Sequence, residues 1–151
     1  MKRNFLFAAF IGTLFLVSLN SFLPGDNANL VSNVLKQTNQ FRKSEGMPEL
    51  QMNKELNHIA QNHSKDMAAG RIAFGHDGFG GRQAKAAKEI KGMHTFAENV
   101  AYGANSAAEV VTMWKNSPGH RRNMLGNFQY IGIGTAKNSK GQIYYTEIFA
   151  D

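Results

Sequence analysis

The apolar residues of this chain change period once. As far as about residue 125 they recur at helical spacing, and from Tyr130 onward they alternate as in strands. Leu30, Val31, Val34, Leu35 and Phe41 share one helical face, and Gly46 and Pro48 follow as stops. Asn53 reads as the cap of a second helix carrying Leu56, Ile59, Ala60, His63 and Met67, with Gly70 ending it. A Gly-rich loop spans Gly75 to Gly81, and a weaker helix covers Gln83–Ile90. Ser106 to Glu109 forms a capping box ahead of Val110, Val111, Met113 and Trp114. Ser117-Pro118 caps and opens a short helix that ends at Gly126. Tyr130–Thr135 and Ile143–Phe149 read as strands joined through Asn138-Ser139-Lys140-Gly141. Helices first and paired strands last imply α+β with an antiparallel sheet.

The first residues are of another kind. Lys2 and Arg3 precede an uncharged run to Gly25, apolar through most of Phe5–Leu19. A basic start followed by a short apolar stretch has the layout of an export signal, and Asn20 and Ser21 interrupt it before it reaches a comfortable span. We expect residues 1–23 to be a signal peptide, with an uncleaved anchor as the alternative, and residues 24–151 to form one domain. The domain would then be secreted, outside the cell or in its envelope, the periplasm included, with membrane contact only through the signal. Having no cysteine, the chain has no disulfide scaffold, no thiol nucleophile and no lipid anchor on cysteine.

Setting aside Lys2 and Arg3 leaves 15 basic and 11 acidic residues. They are scattered, densest over Arg82–Lys91, and read as a solvated face. No aromatics interleave with them, so nucleic-acid binding is not expected.

Of the five histidines, His63 lies in an apolar stripe and reads as a core imidazole, while His58 and His94 have no chemical context. His76 stands between glycines in Phe74-Gly75-His76-Asp77-Gly78-Phe79, where the backbone can fold tightly and project the ring. His120 follows Ser117-Pro118-Gly119 at a helix start, where the dipole favours the neutral ring that ligates metal. Glu98 lies among apolar neighbours in Phe96-Ala97-Glu98-Asn99-Val100, so it is either buried with partners or functional. Spacing alone makes no metal motif of these residues.

The segment Met113-Trp114-Lys-Asn-Ser-Pro118-Gly119-His120-Arg-Arg-Asn123-Met124-Leu125 resembles a signature of the CAP superfamily of secretory, antigen 5 and pathogenesis-related proteins, in its cysteine-free bacterial form. Leu56–Met67, Phe74-Gly75-His76, Ala97–Gly103 and the closing hairpin from Phe128 to Phe149 resemble further family segments in the expected order. The resemblance implies an α-β-α sandwich, a small antiparallel sheet between helical layers. It also implies an open cleft lined by His76, His120 and Glu98, with Asp77 the candidate for an additional acid. Asn99, Asn123, His63 and Trp114 would be structural.

Such a cleft could hold a divalent cation, zinc above others, and the expected function is a binding module for a cation and a lipid or envelope component. The alternatives are a metal-assisted hydrolase of peptidase or esterase type, with Glu98 activating water, and a structural or adhesive envelope protein in which the cluster braces the loops.

Overall fold

The computed structural model describes residues 24–151, so the expected signal segment lies outside the described residues. Five helices surround a four-stranded sheet: α1 (Pro24–Ser44), β1 (Gln51–Met52), α2 (Lys54–Ala68), α3 (Phe79–Glu89), β2 (Phe96–Tyr102), α4 (Ala107–Lys115), α5 (Pro118–Met124), β3 (Tyr130–Lys137) and β4 (Ile143–Ala150). The strands run in the order β1-β3-β4-β2. β2 and β3 each pair antiparallel with β4, in line with the expected antiparallel sheet, but the two-residue β1 pairs parallel with β3, so the sheet is mixed.

Two helix starts, those of α2 and α4, follow their local chemistry. Asn53 Oδ1 accepts from the Glu55 and Leu56 N–H groups, two donors that no helical carbonyl could take. Ser106 Oγ accepts from Glu109 N–H, and Glu109 Oε2 reaches back to Asn105 N–H, closing the capping box one residue early. Ser117 is a correction: it occupies the cap position of α5, but its hydroxyl makes no capping bond, and Pro118 supplies the start.

The two faces of the sheet carry separate cores. On one, Val34, Val110, Val111 and Trp114 of α1 and α4 pack with Ile133, Tyr145 and Phe149. On the other, Leu56, Ile59 and Ala60 of α2 and Ala86 of α3 pack with Ile148 and Ala150. Helices therefore cover both faces, giving the α-β-α layering. Trp114 is 1% exposed, and its indole N–H donates to Val100 O at 3.3 Å.

The α2 layer sits unusually close. A Cβ on Gly132 would fall 2.2 Å from the Leu56 carbonyl carbon, and one on Gly134 equally close to the Ala60 backbone. Helix backbone thus rests on strand backbone, and the glycines of Ile131-Gly132-Ile133-Gly134 are there because no side chain fits.

Two strands had no signal. β2 is buried over Glu98–Ala101, so its pattern never alternates, and β1 is too short for any period. β2 is an edge strand, yet the carbonyls of Glu98 and Val100 accept from Asn123 Nδ2 and Trp114 Nε1 instead of a further strand. Side chains of α4 and α5 thereby cover an edge that would otherwise invite pairing.

Candidate functional site

Glu98 is the centre of the site. It points from β2 toward the α2 face, and its side chain is fully buried. Arg82, in the first turn of α3, grips both oxygens: Nε to Oε2 at 2.5 Å and Nη2 to Oε1 at 2.7 Å. His76 Nδ1 lies 2.9 Å from the same Oε1. His63, on α2, is buried beneath them, with Nε2 bonded to Gly75 O at 3.0 Å and 3.8 Å from Glu98 Oε1. Burial holds its pKa below the ordinary value, against the opposing pull of Glu98.

Arg82 is the residue the sequence reading missed. Placed in a solvated basic patch, it is instead about nine-tenths buried. Its guanidinium also donates to Asp77 O and His76 O, at 2.7 and 3.3 Å, and so shapes the loop that presents His76. Gly78 makes this possible, with a left-handed φ of 77° at the head of α3 and the Arg82 Nη1 close by. The available signal was Arg82 lying six residues after a Gly-flanked histidine, but a lone arginine reads as surface until a buried carboxylate is known to face it.

A carboxylate can only accept, so the His76 ring must donate through Nδ1, and in the neutral ring this leaves the lone pair on Nε2. The His76 side chain is 49% exposed, so the ring stands at a solvent-open position. His120 lies on α5, tied to β2 through its backbone carbonyl, which accepts from Asn99 Nδ2. Its pKa is lowered by burial first and then by the nearby His76 imidazole. Both effects favour the uncharged ring, the form that ligates metal. Asp77 is exposed and lines a separate cavity of about 490 Å³ between α2 and α3, whose inner wall is His63 and Arg82. Among the described residues no group of three or more His, Asp or Glu side chains is arranged to hold a metal ion.

Behind β2, a second polar group fills the opposite face. Glu147 of β4 is fully buried and stands in register with Asn99. It accepts from Thr38 Oγ1 at 2.7 Å and from Asn99 Nδ2 at 3.4 Å. Asn99 also donates to His120 O, and its Oδ1 accepts from Asn123 Nδ2 at 2.9 Å, so these asparagines tie α5 to the sheet. Burial pushes the Glu147 carboxyl up to about 7, with Thr38 and Asn99 pulling the other way. The argument that singled out Glu98, an acid inside an apolar run, applied equally to Glu147 in Tyr144-Tyr145-Thr146-Glu147-Ile148-Phe149.

Residues 35–149 match the sequence profile of the cysteine-rich secretory protein family, known as CAP. The chain belongs to the CAP family. The uncharacterized Bacillus subtilis protein YkwD is 35% identical over 104 residues, covering 67% of this chain and 40% of its own length. An extracellular protein of Bacillus anthracis containing an SCP domain superposes with a TM-score of 0.72 at 26% identity, over 85% of this chain and 44% of that one. An outer surface protein of Borrelia burgdorferi shares the fold alone, with a TM-score of 0.72 at 19% identity, covering 82% and 92%. This CAP domain is thus of the type found in extracellular bacterial proteins, and it spans less than half of YkwD and of the Bacillus anthracis chain. No described helix is long and apolar enough to cross a membrane.

Proposed function

We propose that this CAP domain is a secreted binding module whose cleft takes a divalent cation on His76 and His120, together with a component of the cell envelope. The observation that carries this reading is the Glu98–His76 contact, in which a buried carboxylate engages Nδ1 of a half-exposed imidazole and leaves Nε2 available to a ligand. A ligating histidine backed by a carboxylate is the arrangement that orients the ring and raises its basicity. Two neutral imidazoles suit a borderline-soft ion such as zinc.

Both Glu98 oxygens are engaged by Arg82, so the donors present fit a site of two imidazoles completed by water, with Glu98 positioned behind as orienter. A bound cation would supply positive charge and an open coordination position. The same clamp weighs against a hydrolase in which Glu98 activates water, because a fully buried carboxylate held by a guanidinium has no access to one.

Calorimetric titration of zinc into the wild type, His76→Ala, His120→Ala and Glu98→Gln tests the reading. Either alanine variant should lose most of the affinity. Glu98→Gln should weaken it by roughly 10–100-fold without abolishing it, as loss of an orienting partner does. Wild-type affinity should fall as the pH is lowered and protons compete for the rings. Equal binding by all four proteins, or none by the wild type, would leave bracing of the loops as the better account.

A further inference from the structure

One end of the site is an aromatic surface that neither the core nor the imidazoles require. Phe74 and Tyr102 are 47% and 45% exposed, two of the three large hydrophobic side chains so exposed among the described residues. Their rings meet edge to face at 4.8 Å between centroids, and Tyr102 stacks on Tyr144 at 5.4 Å. Phe74 also meets Tyr144 edge-on, at 6.4 Å. Two exposed rings backed by the half-buried Tyr144 carry an apolar area that a folded domain usually buries or uses.

Their placement is continuous with the cleft. Tyr102 and Glu98 lie four residues apart on β2, hence on one face and about 13 Å from each other along the strand. Tyr144 is the register partner of Tyr102, and Phe74 precedes His76 by two residues. Among the described residues neither the Tyr102 nor the Tyr144 hydroxyl has a hydrogen-bond partner.

Three ligand classes can be weighed against that surface. A peptide strand would need the β2 edge, but the Glu98 and Val100 carbonyls are taken by Asn123 and Trp114. An acyl chain would need unbroken apolar wall, but beyond the aromatics the surface turns to His76 and Asp77, both exposed. A saccharide can use a mixed surface of this kind: partly exposed rings for its C–H groups, with the tyrosine hydroxyls and the His76 imidazole nearby for its own hydroxyls.

We propose that Phe74, Tyr102 and Tyr144 form a saccharide subsite, seating one pyranose ring of an extended polysaccharide whose next units run toward His76 and His120. The direction of that chain rests on the proposed binding cleft, and the subsite itself stands on the aromatic geometry.

The test is amide chemical-shift titration of the protein with chitotetraose and with cellotetraose, probes long enough to reach from the rings to the imidazoles. Saturable shifts are expected around residues 72–78, 100–104 and 143–145 with at least one of the two. Phe74→Ala and Tyr102→Ala should each weaken binding about tenfold or more while keeping wild-type zinc affinity. Absence of saturable shifts with either tetrasaccharide overturns the subsite, as does binding that both variants retain in full. Binding to phosphatidylglycerol vesicles that the two variants lose, with none to the tetrasaccharides, would make the rings a membrane contact and overturn it too. Tetrasaccharide binding without zinc binding would uphold the subsite and sink the cation. Zinc binding without tetrasaccharide binding would do the reverse.

Discussion

Glu98 and Glu147 lie on adjacent strands, point to opposite faces of one sheet, and are both buried. Glu98 meets a cation, the two-pronged Arg82 guanidinium, and a histidine beyond it. Glu147 meets only neutral donors, Thr38 and Asn99, and its carboxyl is pushed up to about 7. Burial penalises both charges alike, so the partner decides what each acid does. On the α2 face the paired carboxylate can aim an imidazole at solvent. On the other face the unpaired one joins α1, β2 and β4 as part of a neutral hydrogen-bond network.

Removing the cation breaks the contrast most severely. Arg82→Met leaves Glu98 buried without its charge partner and should cost about 3–5 kcal/mol of unfolding free energy in a urea titration. A loss under about 1 kcal/mol would mean that Glu98 draws its support from His76 and solvent.

Glu147 should announce itself through pH. Its folded pKa lies above the ordinary carboxyl value, so its contribution to stability is complete below about 4.5 and is lost as pH rises through about 7. The wild type should therefore lose about 3 kcal/mol on this account between pH 4.5 and pH 8. Glu147→Gln keeps the shape without the titration, so its stability should change less over the same interval. Parallel curves from thermal unfolding at several pH values would contradict the assignment.

The smallest effect sharpens the Glu147 side. Thr38 Oγ1 donates to the carboxylate and holds its pKa down, so Thr38→Val should raise the midpoint of Glu147, followed by carbon-13 NMR of the labelled carboxyl. The stability cost near neutral pH should be about 1 kcal/mol, that of one hydrogen bond. An unmoved midpoint would assign the support of Glu147 to Asn99 alone.

These partners explain what could be read without coordinates. Caps act within a few residues, so Asn53 and Ser106 announced α2 and α4, and alternation over Tyr130–Thr135 and Ile143–Phe149 announced the hairpin. Family-like segments placed His76, Glu98 and His120 on the chain. The Arg82–Glu98 clamp was hidden because it joins a helix to a strand, and β2 had not been read as a strand at all. β2 lacks a period because helices cover both of its faces, and that same double burial makes Glu98 and Asn99 useful. Glu147 escaped because its strand was already assigned to the core.

The strand order has a consequence in time. Among the described residues β4 is the last strand, and it lies between β3 and β2 as the one strand that pairs with β2. A chain extended only as far as residue 137 has made Glu98, Arg82 and both imidazoles but has no neighbour on which to hang β2. Pairings this distant in sequence form late and slowly. The cleft should thus assemble only after the closing hairpin is released. If the protein is threaded through a membrane from its N-terminus, Glu98, Arg82 and the imidazoles stay apart throughout the passage and meet on the far side.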